Sequence, residues 1–103
     1  MTLRSGVVTF TGAAQSLASI LGTGVLDASA YAVDIQADSA NAAVFYVGGA
    51  DVAATNGMRI PIPVSSVPSP PYRIGDFNAK GLKLADIYVL GTTNQKAHVL
   101  AFV

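Results

Sequence analysis

The chain has no cysteine, no tryptophan and no glutamate, and only one histidine among its 103 residues. Without cysteine, disulfides, thiolate metal sites and thiol nucleophiles are excluded, and the redox compartment is left open. A serine triad needs a histidine between an acid and a hydroxyl, and His98 lies in a terminal apolar strand pattern that suits a packed or interface residue better than a base. The nucleophile-elbow pattern Gly-x-Ser-x-Gly and the Asp-x-Asp-x-Asp-Gly calcium loop are both missing. Charge is scarce as well: 12% of residues, against about 25% in ordinary soluble domains. The basic residues Arg4, Arg59, Arg73, Lys80, Lys83 and Lys96 are scattered, so no patch forms to neutralise phosphates, and nucleic acid is not expected as a partner. No apolar run approaches the ~20 residues of a membrane span. The opening MTLRSGVVTF lacks a signal-peptide h-region, and there is no Asn-x-Ser/Thr sequon. The expectation is a protein made in a cytosol, with no enzyme activity, no cofactor, no metal site, no membrane partner and no small-molecule substrate.

What is present is apolar and small. Residues 1–103 form one domain with a single core, 51% of them hydrophobic. Six basic residues face six aspartates, a formal net charge of zero. That removes the self-repulsion that keeps proteins apart, which favours an assembled subunit over a monomer coated with Ser, Thr, Asn and Gln.

Strand signals recur along the chain. Gly6 to Thr11 reads as a first strand with Val8 and Phe10 on one face. AAQSLASILG is either a single helical turn or an extended segment, and Thr23 to Ser29 a loop. Ala30 to Asp38 alternates cleanly, with Tyr31, Val33, Ile35 and Ala37 opposite Ala32, Asp34, Gln36 and Asp38. A hairpin to Ala43–Val47 is the simplest topology. Gly48-Gly49 marks a strand end or bulge, and Asn56-Gly57 suits a two-residue type I′ turn with Gly57 at positive φ. Pro61 and Pro63 push Met58–Ile62 to a sheet edge. The five prolines between Pro61 and Pro71 give an extended arm or crossover. Tyr72 to Gly81 reads as turns, and Leu82 to Leu90 as a strand with an offset near Ala85-Asp86. Ala97 to Val103 closes the chain as a strand.

Six or seven short strands predict an antiparallel all-β sandwich or barrel. Several strands are apolar on both faces, more than a two-layer fold can bury alone. The interface candidates are therefore Val44, Tyr46, Tyr88, Leu100 and Phe102, together with Pro68, Pro70 and Pro71 in the proline-rich loop. The four tyrosines also admit a sugar-binding reading, weakened by the lack of tryptophan.

At YVGGADVAATNG (Tyr46 to Gly57) and LADIYVLG (Leu84 to Gly91) the chain resembles small β-sandwich structural proteins of tailed-bacteriophage particles. The resemblance covers about half the chain, and the longer insert PIPVSSVPSPPYRIGDFNAKG departs from it. It implies a jelly-roll-like sandwich with a strand Ala85–Gly91 paired with the C-terminal strand. Apart from the resemblance, a short N-terminal arm, Thr2 to Ser5, and the proline-rich loop are the segments expected to contact a partner, since termini and extended loops readily order on one. The resemblance further implies a head decoration or cement protein on the capsid surface, a homotrimer, with the major capsid protein as partner. The alternative is a receptor- or carbohydrate-binding module of a head fibre or tail.

Overall fold

A computed structural model of the chain describes residues 2–21, 29–63, 70–78 and 80–103. It contains ten strand segments: β1 (Leu3–Thr9), β2 (Gln15–Ser16), β3 (Ser29–Ala30), β4 (Ala32–Ala37), β5 (Phe45–Gly48), β6 (Met58–Ile60), β7 (Tyr72–Gly75), β8 (Leu82–Lys83), β9 (Tyr88–Leu90) and β10 (Lys96–Phe102). One short helix, α1 (Leu17–Leu21), follows β2, and a 3-10 turn occupies Leu84–Asp86. The protein is all-β and antiparallel. Among the described residues, no helix is long and apolar enough to cross a membrane.

The pairings are nested. β1 pairs with β10, β2 with β9, β3 with β8, β4 with β7, and β5 with β6. The chain is thus one long antiparallel hairpin whose tip is the loop 49–57 between β5 and β6. Winding that hairpin on itself brings β10 beside β4 and β9 beside β5. Two four-stranded sheets result, β1-β10-β4-β7 and β2-β9-β5-β6, with β3-β8 as a small third ladder.

Period-2 patterning decides what goes inside. Val33, Ile35 and Ala37 of β4 and Ala97, Val99 and Ala101 of β10 are buried from one sheet; Phe45, Val47 and Val89 are buried from the other. All join one cluster with Phe10, Leu17 and Leu84. The Phe10 and Phe45 rings meet at 5.1 Å, where the end of β1 meets the start of β5. Each fully buried side chain of this size contributes about 1.5–3 kcal/mol. Gly91 is glycine because Phe10 lies flat against it: a Cβ there would overlap the ring.

Several expectations are corrected by this topology. Ala30–Asp38 and Ala43–Val47 do not form a hairpin; β4 and β5 lie in different sheets. Strand Ala85–Gly91 does not pair with the C-terminal strand, because β9 is held between β2 and β5 while β10 sits between β1 and β4. Tyr72–Gly75 is a strand rather than a turn. The extended run Leu82–Leu90 is broken by the 3-10 turn, at the offset that the alternation marks. Thr2–Ser5 is no free arm, because Leu3 begins β1, and Thr2 exchanges backbone hydrogen bonds with Val103.

The Asn56-Gly57 expectation is overturned as well. The loop runs from 49 to 57, and Gly57 is not among the glycines with positive φ, which among the described residues are Gly12 and Gly75. Asn56 Oδ1 accepts from the Ala53 N–H at 2.7 Å, its Nδ2 donates to the Asp51 carbonyl at 3.1 Å, and the Gly57 N–H donates to the Ala53 carbonyl. Gly57 is needed for space: a Cβ would stand 2.8 Å from both Tyr46 Cβ and Val52 Cγ2. Gly48 does end β5, and a Cβ on it would crowd Val52 Cγ2 at 3.1 Å. The edge position expected of Met58–Ile62 holds: β6 ends at Ile60 and lies at the rim of its sheet.

Candidate interaction faces

Strand alternation leaves each sheet one face turned away from the core. On β1-β10-β4-β7 that face is laid out in rows by register. Leu3 lies beside Phe102 and Ala32; Ser5 beside Leu100, Asp34 and Arg73; Val7 beside His98 and Gln36. Leu3 and Val7 are more than half exposed, at 58% and 54%. At one end the Arg73 guanidinium grips Asp34 through two bonds, Nε to Oδ1 at 2.6 Å and Nη2 to Oδ2 at 2.8 Å. This pairing holds the guanidinium proton above its ordinary range, against the opposing effect of desolvation. The same guanidinium stands 5.1 Å from the Phe77 ring and 5.4 Å from Phe102, which meet edge to face at 5.2 Å. An arginine so clamped covers aromatic surface while leaving its own charge neutralised.

At the other end His98 Nε2 lies 2.8 Å from Asp38 Oδ1. An ionised carboxylate only accepts, so Nε2 carries the proton. That hydrogen bond, then the one from the Ala40 N–H, holds the Asp38 carboxyl below the usual carboxylate range. His98 is therefore a half-exposed, acid-paired residue, not one packed among apolar neighbours as its strand context suggests. Between the two ends an open groove of about 420 Å³ is lined by Ser5, Val7, Pro71, His98 and Leu100.

The outer face of β2-β9-β5-β6 carries the other aromatic candidates. Tyr46 lies beside Leu90 and Arg59, and Tyr88 beside Gly48 and Ser16. A cavity of about 360 Å³ is lined by Val44, Tyr46, Leu90, Thr92 and Thr93. Among the described residues no group of three or more His, Asp or Glu could hold a metal ion.

No protein-family model matches the chain, and no curated protein or solved structure is significantly similar to it.

The structure therefore divides the expected interface residues. Leu100, Phe102 and Pro71 fall on one face, with the exposed Pro70 next to Pro71; Val44, Tyr46 and Tyr88 fall on the other. Pro68 lies outside the described residues. Gly48, Gly49, Asn56 and Gly57 gather at the hairpin tip, where they shape the loop. Leu3 belongs to the Thr2–Ser5 segment expected to meet a partner, whereas Val7, Arg73 and Phe77 were not expected on an interaction face. For Leu3 and Val7 a signal exists, since they alternate with the inward Val8. For Arg73 and Phe77 no local pattern shows that they meet Asp34 and Phe102.

Proposed function

We propose that the protein is a virion structural subunit, a decoration or cement protein that sits on the head shell of a tailed phage, with the major capsid protein as its partner. The fold we assign is a jelly-roll sandwich. The observation that carries the reading is the nested pairing: a long hairpin wound into sheets β1-β10-β4-β7 and β2-β9-β5-β6 is the strand order of two Greek keys rolled together, an architecture used by viral capsid and lectin domains. The resemblance at Tyr46–Gly57 and Leu84–Gly91 points the same way. The outer face of β1-β10-β4-β7, with Leu3, Val7, Leu100, Phe77 and Phe102 around charges already paired internally, supports an apolar attachment surface. Zero net charge offers little steering, so attachment should respond weakly to salt. Undecorated particles mixed with wild-type, Leu3→Asp and Val7→Asp protein, then sedimented at low and high salt, provide the test. Retention of wild type at both salts and its loss in the two variants is expected. Release of wild type by salt alone sinks the reading.

A second reading, a carbohydrate- or receptor-binding module, is favoured by the cavity beside Tyr46, where an aromatic face adjoins Thr92 and Thr93. Glycan-array binding abolished by Tyr46→Ala would select it.

A further inference from the structure

Among the described residues, the two four-stranded sheets have four edge strands: β1 and β7 in one, β2 and β6 in the other. Three are guarded or short. β2 has two residues, β6 has three and runs into Pro61, and β7 ends at Gly75 with φ +92. β1 is different. It spans seven residues, Leu3–Thr9, in unbroken register with β10, with no proline and no bulge. Its lone charge, Arg4, alternates onto the opposite face from Leu3, Ser5, Val7 and Thr9. Long edges of this kind, with no proline, bulge or outward charge, are templates for another strand.

The backbone phase of β1 fixes which groups are on offer. Thr2 and Val103 exchange both N–H···O bonds, at 2.7 and 2.8 Å. Such pairs recur every second residue, so Arg4, Gly6 and Val8 bond to β10, while the N–H and C=O groups of Leu3, Ser5, Val7 and Thr9 point away from it. Among the described residues, no strand pairs with that outer edge.

We infer that β1 is a self-pairing edge: two copies of this chain join β1 to β1 antiparallel across a two-fold axis, making one continuous eight-stranded sheet. The occupant is a second copy because the edge is complementary to itself. With the axis at Gly6, Leu3 lies opposite Thr9 of the second copy and Ser5 opposite its Val7, so all four outward residues pair and no like charges meet. Arg4 faces Val8 of the second copy rather than another arginine. Ile20 and Leu21, half-buried beneath Gly6, lie under the same seam. Zero net charge sets no long-range repulsion against the union. A two-fold contact of this type is isologous and closes as a dimer, which replaces the trimer suggested by shell symmetry. The inference stands apart from the shell reading, because it concerns the purified protein alone.

The test uses variants that spare the fold. Ser5→Pro removes an outward N–H and no bond to β10, and Val7→Lys places a charge on the edge. Light scattering at high micromolar concentration should give twice the 10.5 kDa chain mass for wild type, and the single-chain mass for Ser5→Pro and for Val7→Lys, both still folded by circular dichroism. Hydrogen exchange provides the second readout. The Ser5 and Val7 amides should be protected in wild type and exchange rapidly in Val7→Lys, whereas Arg4, Gly6 and Val8 stay protected in both. A wild-type monomer with rapid exchange at Ser5 and Val7 overturns the inference, as does a dimer that survives both substitutions. Particle sedimentation is scored separately, so a failure of self-pairing and a failure of shell binding are told apart.

Discussion

Asn41 brackets the backbone of Lys96: its Nδ2 donates to the Lys96 carbonyl at 2.6 Å and its Oδ1 accepts from the Lys96 N–H at 2.8 Å. The side chain is buried, with 7% of its surface exposed, and it completes the end of β10 as a strand neighbour would. The adjacent turn is fixed to the same place, since the Asp38 N–H also reaches the Lys96 carbonyl. Asn41→Ala leaves the part-buried Lys96 N–H without its acceptor and should cost about 1–2 kcal/mol, read as a drop in urea midpoint with an unchanged m-value. Asn41→Asp should be at least as harmful, because a carboxylate would then face the Lys96 carbonyl.

Gly57 is held by crowding. Any side chain there meets Tyr46 and Val52, so Gly57→Ala and Gly57→Asn should both lower stability by about 1–3 kcal/mol. Asparagine tolerates positive φ almost as well as glycine does. If backbone conformation were the constraint, Gly57→Asn would melt close to wild type, so thermal melts of the pair separate the two causes.

Acid should loosen the turn at Asp38. Its carboxyl binds a proton less readily when folded than its ordinary value of 3.8 implies, chiefly because of His98. The stabilisation is therefore present above that value and is lost as pH falls through the lower folded one. Asp38→Asn should flatten the acid limb of the melting curve below the ordinary value of 3.8. An acid limb of unchanged slope in that variant would show that the contact contributes nothing.

Folding should begin at the tip. β5 and β6 close the shortest loop in the nested series, and each outer pair closes a longer one, which costs more chain entropy. Val47→Ala, in the tip pair, should slow refolding in stopped-flow measurements. Val99→Ala, in the last pair, should mainly speed unfolding. The reverse partition would place the nucleus at the chain ends.

How much of this was legible in the sequence differs by element. Alternation in 30–38 sorted the faces correctly: Val33, Ile35 and Ala37 are buried, and Asp34 and Gln36 lie outward. It could not say which strand lies alongside, because period 2 specifies a face and not a neighbour; the nearest strand in sequence, β5, is in the other sheet. Pro61 marked an edge because a missing donor is a local property. Nothing local to Asn41 shows its role, since its partner is 55 positions away. The aromatic clamp on Arg73 was hidden for the same reason, its four members coming from β4, β7, β10 and the turn after β7. Gly57 stood out as unusual, but the side chains that crowd it come from Tyr46 and Val52.

The mutual bonds between Thr2 and Val103 place the two described ends of the chain side by side at one extremity of the β1–β10 ladder. Antiparallel neighbours pulled from the same extremity part like a zip, with one bond pair loaded at a time, whereas strands pulled from opposite extremities resist in shear with every bond loaded together. Tension applied through these ends would therefore peel β1 from β10 at low force. The molecule is mechanically soft along that direction.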